Sequence, residues 1–189
     1  MASFLSQVAK ITDHLYLSSF IGAAEPNLLK YNITCVITVC REVPQIQTNL
    51  RSDTLKQIES IKLDVLDKPT ESLARYFDYV ADKINDVANK KGVCLVHCVA
   101  GISRSATMVI VYLMKHLKMS LKDAHALVKS KRPFVSLNFI LNNLIENYVL
   151  VWIKLKRVKF ENTPIRKTGG FFPFTILNPF LPVQNLHTT

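Results

Sequence analysis

Residues 93–105 read Val93-Cys-Leu-Val-His-Cys-Val-Ala-Gly-Ile-Ser-Arg-Ser105. The apolar run Val93–Val96 has strand character and carries the strand to His97, while Ser103 to Leu117 is nearly apolar and long enough for a central helix. A loop from Cys98 to Ser103 joins the two, with the helix beginning near Arg104. That layout puts Cys98 at the C-terminal end of a strand and beside a helix N-terminus, where α/β sheets bind ligands. Five residues separate Cys98 from Arg104, enough for the loop to curl so that several backbone N–H groups converge on one anion. Gly101 permits a backbone conformation that other residues resist. Arg104 can then grip two oxygens of a phosphate through its planar fork, which a lysine could not match.

Outward from this stretch, short β-rich runs occur at Leu15–Leu17, Ile33–Val39 and Ile58–Leu63. Helical patterns alternate with them. From Glu71 to Ala88, the residues Leu73, Phe77, Val80, Ile84 and Val87 recur at helical spacing, and Thr70 can cap the start. Ser120-Leu-Lys-Asp123 reads as a capping box opening a further helix that stops at Arg132-Pro133. A last helix is expected from about Asn138 to Leu155, with Phe139, Leu144, Ile145, Tyr148 and Trp152 facing the core. The pattern predicts one α/β domain, with a mostly parallel central sheet flanked by helices. The domain is expected over residues 1–157, and residues 158–189 form an irregular, basic, Phe- and Pro-rich tail.

The chain has 189 residues, of which 49% are apolar and 20% charged. That mixture suits one well-cored domain and excludes wholesale disorder. Four cysteines cannot staple a scaffold of this size, so they read as reduced thiols of a cytoplasmic or nuclear protein. No CxxC pair or His-rich tract suggests a metal site. The start lacks the order of a secretory signal, and the charge-free run from Thr168 is broken by Pro173, Pro179 and Pro182. No transmembrane segment is therefore expected. Net charge is +10. Half of it lies after residue 150, around Lys154, Lys156, Arg157, Lys159, Arg166 and Lys167. A basic surface favours anionic partners without choosing among nucleic acid, lipid and phosphoprotein.

The loop's field also acts on sulfur. A thiol with the ordinary pKa of about 8.5 is only about 3% thiolate at neutral pH, and lowering the pKa to about 5.5 gives roughly 30-fold more nucleophile. Ser105 can donate a hydrogen bond to that thiolate. His97 reads as a residue that orients the loop, because a pre-ionised thiolate needs no base. The alternative is a structural cysteine beside a surface cation, which fits each residue singly but not their joint occurrence.

His97-Cys98-Val-Ala-Gly-Ile-Ser-Arg104-Ser105 resembles the signature of cysteine-dependent protein phosphatases. Its Ala-Gly-x-Ser-Arg-Ser form resembles the dual-specificity branch, whereas tyrosine-only enzymes usually end the loop Gly-Arg-Thr-Gly. Ile11-Thr-Asp-His-Leu-Tyr-Leu17, Tyr112-Leu-Met-Lys115 and Lys131-Arg-Pro-Phe-Val-Ser136 extend the likeness over about residues 7–150. With no room for an N-terminal kinase-docking domain, the chain is similar to the small, atypical dual-specificity phosphatases.

The resemblance implies attack on phosphorus by Cys98, phosphoryl binding by Arg104 and the backbone of Val99, Ala100, Gly101, Ile102 and Ser103, and help from Ser105. It implies no cofactor. Substrates would be phosphorylated proteins, protein kinases among them, with no nucleic-acid partner and with peripheral membrane contact open to the basic tail. The family's proton donor lies about thirty residues before the cysteine, and Asp67 stands 31 residues before Cys98. Leu73-Ala-Arg-Tyr-Phe77 matches the family's helix start at the same offset. Asp64 is the alternative donor, and a helix-terminal or solvated aspartate is the plain reading of either.

Family topology sets the Ile33–Val39 strand beside that of Cys98, which makes Cys40 a candidate redox partner, or else a small buried residue. Cys94 and Cys98 are about 13 Å apart along one strand and cannot pair, and Cys35 reads as core. Leu137 replaces the family's proline, and the following segment is one residue shorter. Competing functions are a phosphoinositide or RNA 5′-phosphatase, against which the loop's lack of lysine counts, and a catalytically weak phospho-binding module.

Overall fold

The computed structural model describes residues 5–44, 57–66, 73–137, 145, 147 and 148. Its centre is a five-stranded sheet in the order β1-β2-β5-β3-β4. The strands are β1 (Val8–Thr12), β2 (Leu15–Ser19), β3 (Cys35–Val39), β4 (Glu59–Leu63) and β5 (Cys94–Cys98). Four of them run parallel, with β5 between β2 and β3, and β1 adds an antiparallel edge. The sequence reading missed β1, because only Ala9 and Ile11 of its five residues are buried and Lys10 stands exposed between them. Strand β5 is buried along its whole length, as a parallel strand covered on both faces must be.

Alternation along β3 and β5 sends Cys35, Ile37, Val39, Cys94, Val96 and Cys98 into the larger core, and Val36 and Leu95 into the smaller one. The larger core is closed by α2 (Phe77–Asn89), α3 (Arg104–Lys115) and α4 (Leu121–Lys131). Phe77, Val80, Ala81, Ile84 and Val87 form the buried stripe of α2. Trimming Ile84 to alanine would cost about 2–5 kcal/mol. The short helix α1 (Glu25–Lys30) places Leu28 in the smaller core.

Helix α3 is apolar nearly all round and central. Ser120 caps α4 as the sequence predicts, its Oγ accepting from the Asp123 N–H at 3.1 Å and donating to the Asp123 carboxylate at 2.7 Å. Of the helix expected from Glu71, residues 71 and 72 lie outside the described residues, and the described part opens as a 3₁₀ turn, Leu73–Tyr76, before α2 proper. Thr70, most of the expected 138–155 helix and the tail lie outside the described residues. Within that last helix Ile145 is buried, and Tyr148 sets its ring edge-on to Phe77 at 5.2 Å and donates to Asp78 at 2.6 Å.

Candidate active site

The loop after β5 is built by its carbonyls. The Val99 C=O accepts from the Phe20 N–H at 3.1 Å, and the Ile102 C=O from the Ser136 N–H at 3.2 Å. Between them, Ala100 and Gly101 C=O groups accept from Arg132 Nη2 at 3.0 Å and Nε at 2.8 Å. The Ser103 C=O takes the Thr107 N–H at 2.8 Å, inside α3. Five successive carbonyls thus bond to donors outside the loop. Because C=O and N–H of one planar trans peptide point in opposite directions, the amides of residues 100–103 turn the other way, towards the concave side.

Cys98 sits at the bottom of that concavity, 3% exposed. Its Sγ accepts from the Gly101 N–H and from the Ser105 hydroxyl, each at 3.2 Å. Gly101 has φ +67°, and a Cβ there would stand 2.4 Å from the Ser18 carbonyl oxygen. Only glycine fits, on both backbone and steric grounds. Glu42, Cys98, Val99, Ala100, Ile102, Ser103 and Arg104 line an open cavity of ≈ 470 Å³.

Arg104 begins α3 and is 5% exposed. Its Nη1 donates to the Glu42 carboxylate at 2.9 and 3.1 Å and to the Val65 carbonyl at 3.2 Å. Glu42 was not singled out in the sequence; the available signal was an acidic residue just past β3, next in the sheet to the strand of Cys98. Arg132, which the sequence offered only as a helix stop, is 0% exposed and also donates through Nη1 to the Gln7 carbonyl at 2.8 Å. Among the described residues no carboxylate pairs with it. Burial lowers its pKa, and the nearby Cys98 sulfur works in the opposite direction.

His97 points to the other face of the sheet. Its Nε2 shares a 2.8 Å hydrogen bond with Thr38 Oγ1, and its Nδ1 lies 3.4 Å from the Cys98 carbonyl oxygen. Burial depresses its pKa to about 4, so the ring is neutral at physiological pH. Cys40 follows β3 and is fully buried in the same core as Cys98; desolvation raises its thiol pKa. All four thiols are free.

Asp64 is exposed and held by a two-pronged bond from Arg41, with Nη2 to Oδ2 at 2.9 Å. That hydrogen bond keeps its carboxyl below the usual range, which makes Asp64 a poor proton donor. Asp67 lies outside the described residues. Among the described residues no group of three or more His, Cys, Asp or Glu side chains could hold a metal ion, and no helix is long and apolar enough to cross a membrane.

A thiol under converging amides, with a buried guanidinium at the mouth, is an arrangement for phosphoryl transfer, and the dual specificity phosphatase catalytic domain matches residues 15–148. The chain belongs to that family. It is similar to human dual specificity protein phosphatase 14, with 36% identity over 158 residues, which are 83% of this chain and 76% of the relative. It is 40% identical to rat dual specificity protein phosphatase 18 over 135 residues, 71% of this chain and 63% of the relative. The crystal structure of human DUSP28 superposes with a TM-score of 0.70 at 26% identity, covering 77% of this chain and 95% of that one. The protein is a small, atypical dual-specificity phosphatase, an enzyme acting on phosphotyrosine and on phosphoserine or phosphothreonine.

Proposed function

We propose that Cys98 is the nucleophile, Arg104 and the amides of the 99–103 loop the phosphoryl cradle, and Asp67 the proton donor. The Cys98 thiolate attacks phosphorus; the S–P bond forms as the P–O bond to the side chain breaks, and Asp67 protonates the departing oxygen. The Asp67 carboxylate then takes a proton from water, whose oxygen attacks phosphorus. The S–P bond breaks, releasing inorganic phosphate, and the hydrogen bonds from Ser105 and Gly101 receive the returning sulfur charge. The observation that carries this reading is the outward bonding of five consecutive loop carbonyls, which turns the neighbouring amides to where phosphoryl oxygens gather negative charge.

Phosphorylated proteins are the substrates, protein kinases among them in our reading. The uncharged Val99, Ala100 and Ile102 favour this over a polyanionic lipid headgroup. Cys40 is proposed as a redox partner. Peroxide oxidises the Cys98 thiolate to sulfenic acid, and the Cys40 thiol displaces water to give a disulfide. Peptide mapping after peroxide treatment checks this, and absence of a linked 40/98 peptide removes it.

The test of the main reading is release of an aryl alcohol from an aryl phosphate, inhibited by vanadate. Cys98→Ser is expected to abolish turnover while retaining phosphopeptide binding. Asp67→Ala is expected to lower kcat about 10²-fold or more. An unchanged rate in Asp67→Ala would remove that residue from the mechanism.

A further inference from the structure

Two supports hold the outside of the phosphate loop, and both rest on one short stretch of chain in front of β1. The first is Arg132, fully buried, whose Nε and Nη2 hold the Gly101 and Ala100 carbonyls. Its Nη1 donates to the Gln7 carbonyl at 2.8 Å, and Gln7 Nε2 donates in return to the Lys131 carbonyl at 3.4 Å. The second is the loop after β2, whose Phe20 N–H holds the Val99 carbonyl. Ser19, the residue before it, is the sheet partner of Cys98. The Ser19 hydroxyl donates to the Leu5 carbonyl and accepts the Gly22 N–H at 3.3 Å. Residues 5–7 pass so near this loop that a Cβ on Gly22 would stand 3.1 Å from the Gln7 carbonyl oxygen. Three of the five loop carbonyls are therefore held by elements braced on the main chain of residues 5–7.

We propose that residues 5–7 form a positioning strap for the phosphate loop, acting through Ser19 and Arg132, and that the loop amides are correctly aimed only while it is docked. The proposal rests on the phosphoryl-binding role of the loop given above. Leu5 and Gln7 are half-buried and Ser6 is exposed, so polar bonds rather than apolar burial hold the segment down. Without the Gln7 carbonyl, one donor of a fully buried guanidinium goes unpaired, and the side chain is drawn towards water and away from Ala100 and Gly101. Without the Leu5 carbonyl, Ser19 loses its acceptor beside the Phe20 N–H. The loop peptides are then free to turn, and amides displaced by about 1 Å from the phosphoryl oxygens forfeit about 10² in rate.

Deleting residues 1–7, which keeps β1 from Val8 onward, tests this, with Ser19→Ala removing one branch alone. Three readouts are taken: kcat/KM on an aryl phosphate, the vanadate inhibition constant, and amide hydrogen exchange. The deletion should lower kcat/KM about 10²-fold and raise the vanadate constant by about the same factor. Ser19→Ala should change each about threefold. A smaller folded fraction would lower the rate but leave the inhibition constant where it was. Exchange should quicken in residues 19–22 and 98–104 while β3 and β4 keep their protection.

An unchanged vanadate constant with unchanged exchange in these two segments would overturn the proposal. So would exchange that quickens equally across the sheet, which would make residues 5–7 a support of the whole fold. If the deletion does not fold, Ser19→Ala decides by the same readouts. Faster exchange confined to the two segments, in an enzyme whose wild type neither turns over aryl phosphate nor binds vanadate, would uphold the strap and remove the catalytic reading.

Discussion

The mouth and the floor of the phosphate loop each hold a buried arginine, and the two are held in opposite ways. At the mouth, Arg104 meets a carboxylate, Glu42, and shares its Nη1 with the Val65 carbonyl. On the floor, Arg132 meets backbone carbonyls of Ala100, Gly101 and Gln7 and pairs with no carboxylate among the described residues. A guanidinium aimed by a carboxylate can be presented to an incoming anion. One that is spent on carbonyls acts as a strut, with its positive charge still near the Cys98 sulfur. On the proposed function, the same side chain thus serves ligand binding in one place and loop geometry in the other.

Substitutions should separate these two roles. Arg104→Lys removes the planar fork and keeps the charge, so kcat/KM on aryl phosphate should fall about 10³-fold. The urea midpoint should move little; a large loss of stability with the rate retained would break the distinction. Arg132→Met should do the reverse in its first effect. Three carbonyls, that of Gly101 buried and those of Ala100 and Gln7 partly so, lose their donor, at about 1 kcal/mol each or about 3 kcal/mol in all, read by urea unfolding. Arg132→Lys should recover only part of this, because one ammonium cannot span the three acceptors.

The smallest effect concerns His97, which precedes the loop and faces the other side of the sheet. Its folded pKa of about 4 is below the ordinary 6.5 because burial disfavours the charged ring. The unfolded chain therefore binds the extra proton first as pH falls. Stability is lost from about pH 6.5 down to about pH 4, by about 2–3 kcal/mol between pH 7.5 and 4.5. Comparing the urea stability of wild type and His97→Asn at both pH values isolates this share. Parallel pH profiles would show that His97 contributes none of it.

Much of the fold was legible because local periodicity reports burial. The stripe of Phe77, Val80, Ile84 and Val87 and the capping box at Ser120 each specify their element within a dozen residues. Strand β1 escaped because two buried positions in five residues make too weak a pattern. The start of α2 shifted for a related reason: helical spacing from Leu73 onward fits a 3₁₀ turn about as well as the first turn of an α-helix. In the site, Cys98, Gly101, Arg104 and Ser105 were readable together because one short loop carries them all.

Their supporting residues come from far along the chain. Glu42 reaches Arg104 across 62 positions, Arg132 reaches Gly101 across 31, and Gln7 reaches Arg132 across 125.

The sequence by itself determined the reactive set and its order: a thiol, a glycine that must take a left-handed turn, an arginine and a serine, spaced for one loop between strand and helix. Only the tertiary structure decided which way that loop faces. Its amides turn inward because donors from the β2–α1 loop, from Arg132 and from the segment after α4 occupy its carbonyls. No local pattern encodes such a choice, since a peptide unit flips freely until distant partners claim one of its ends.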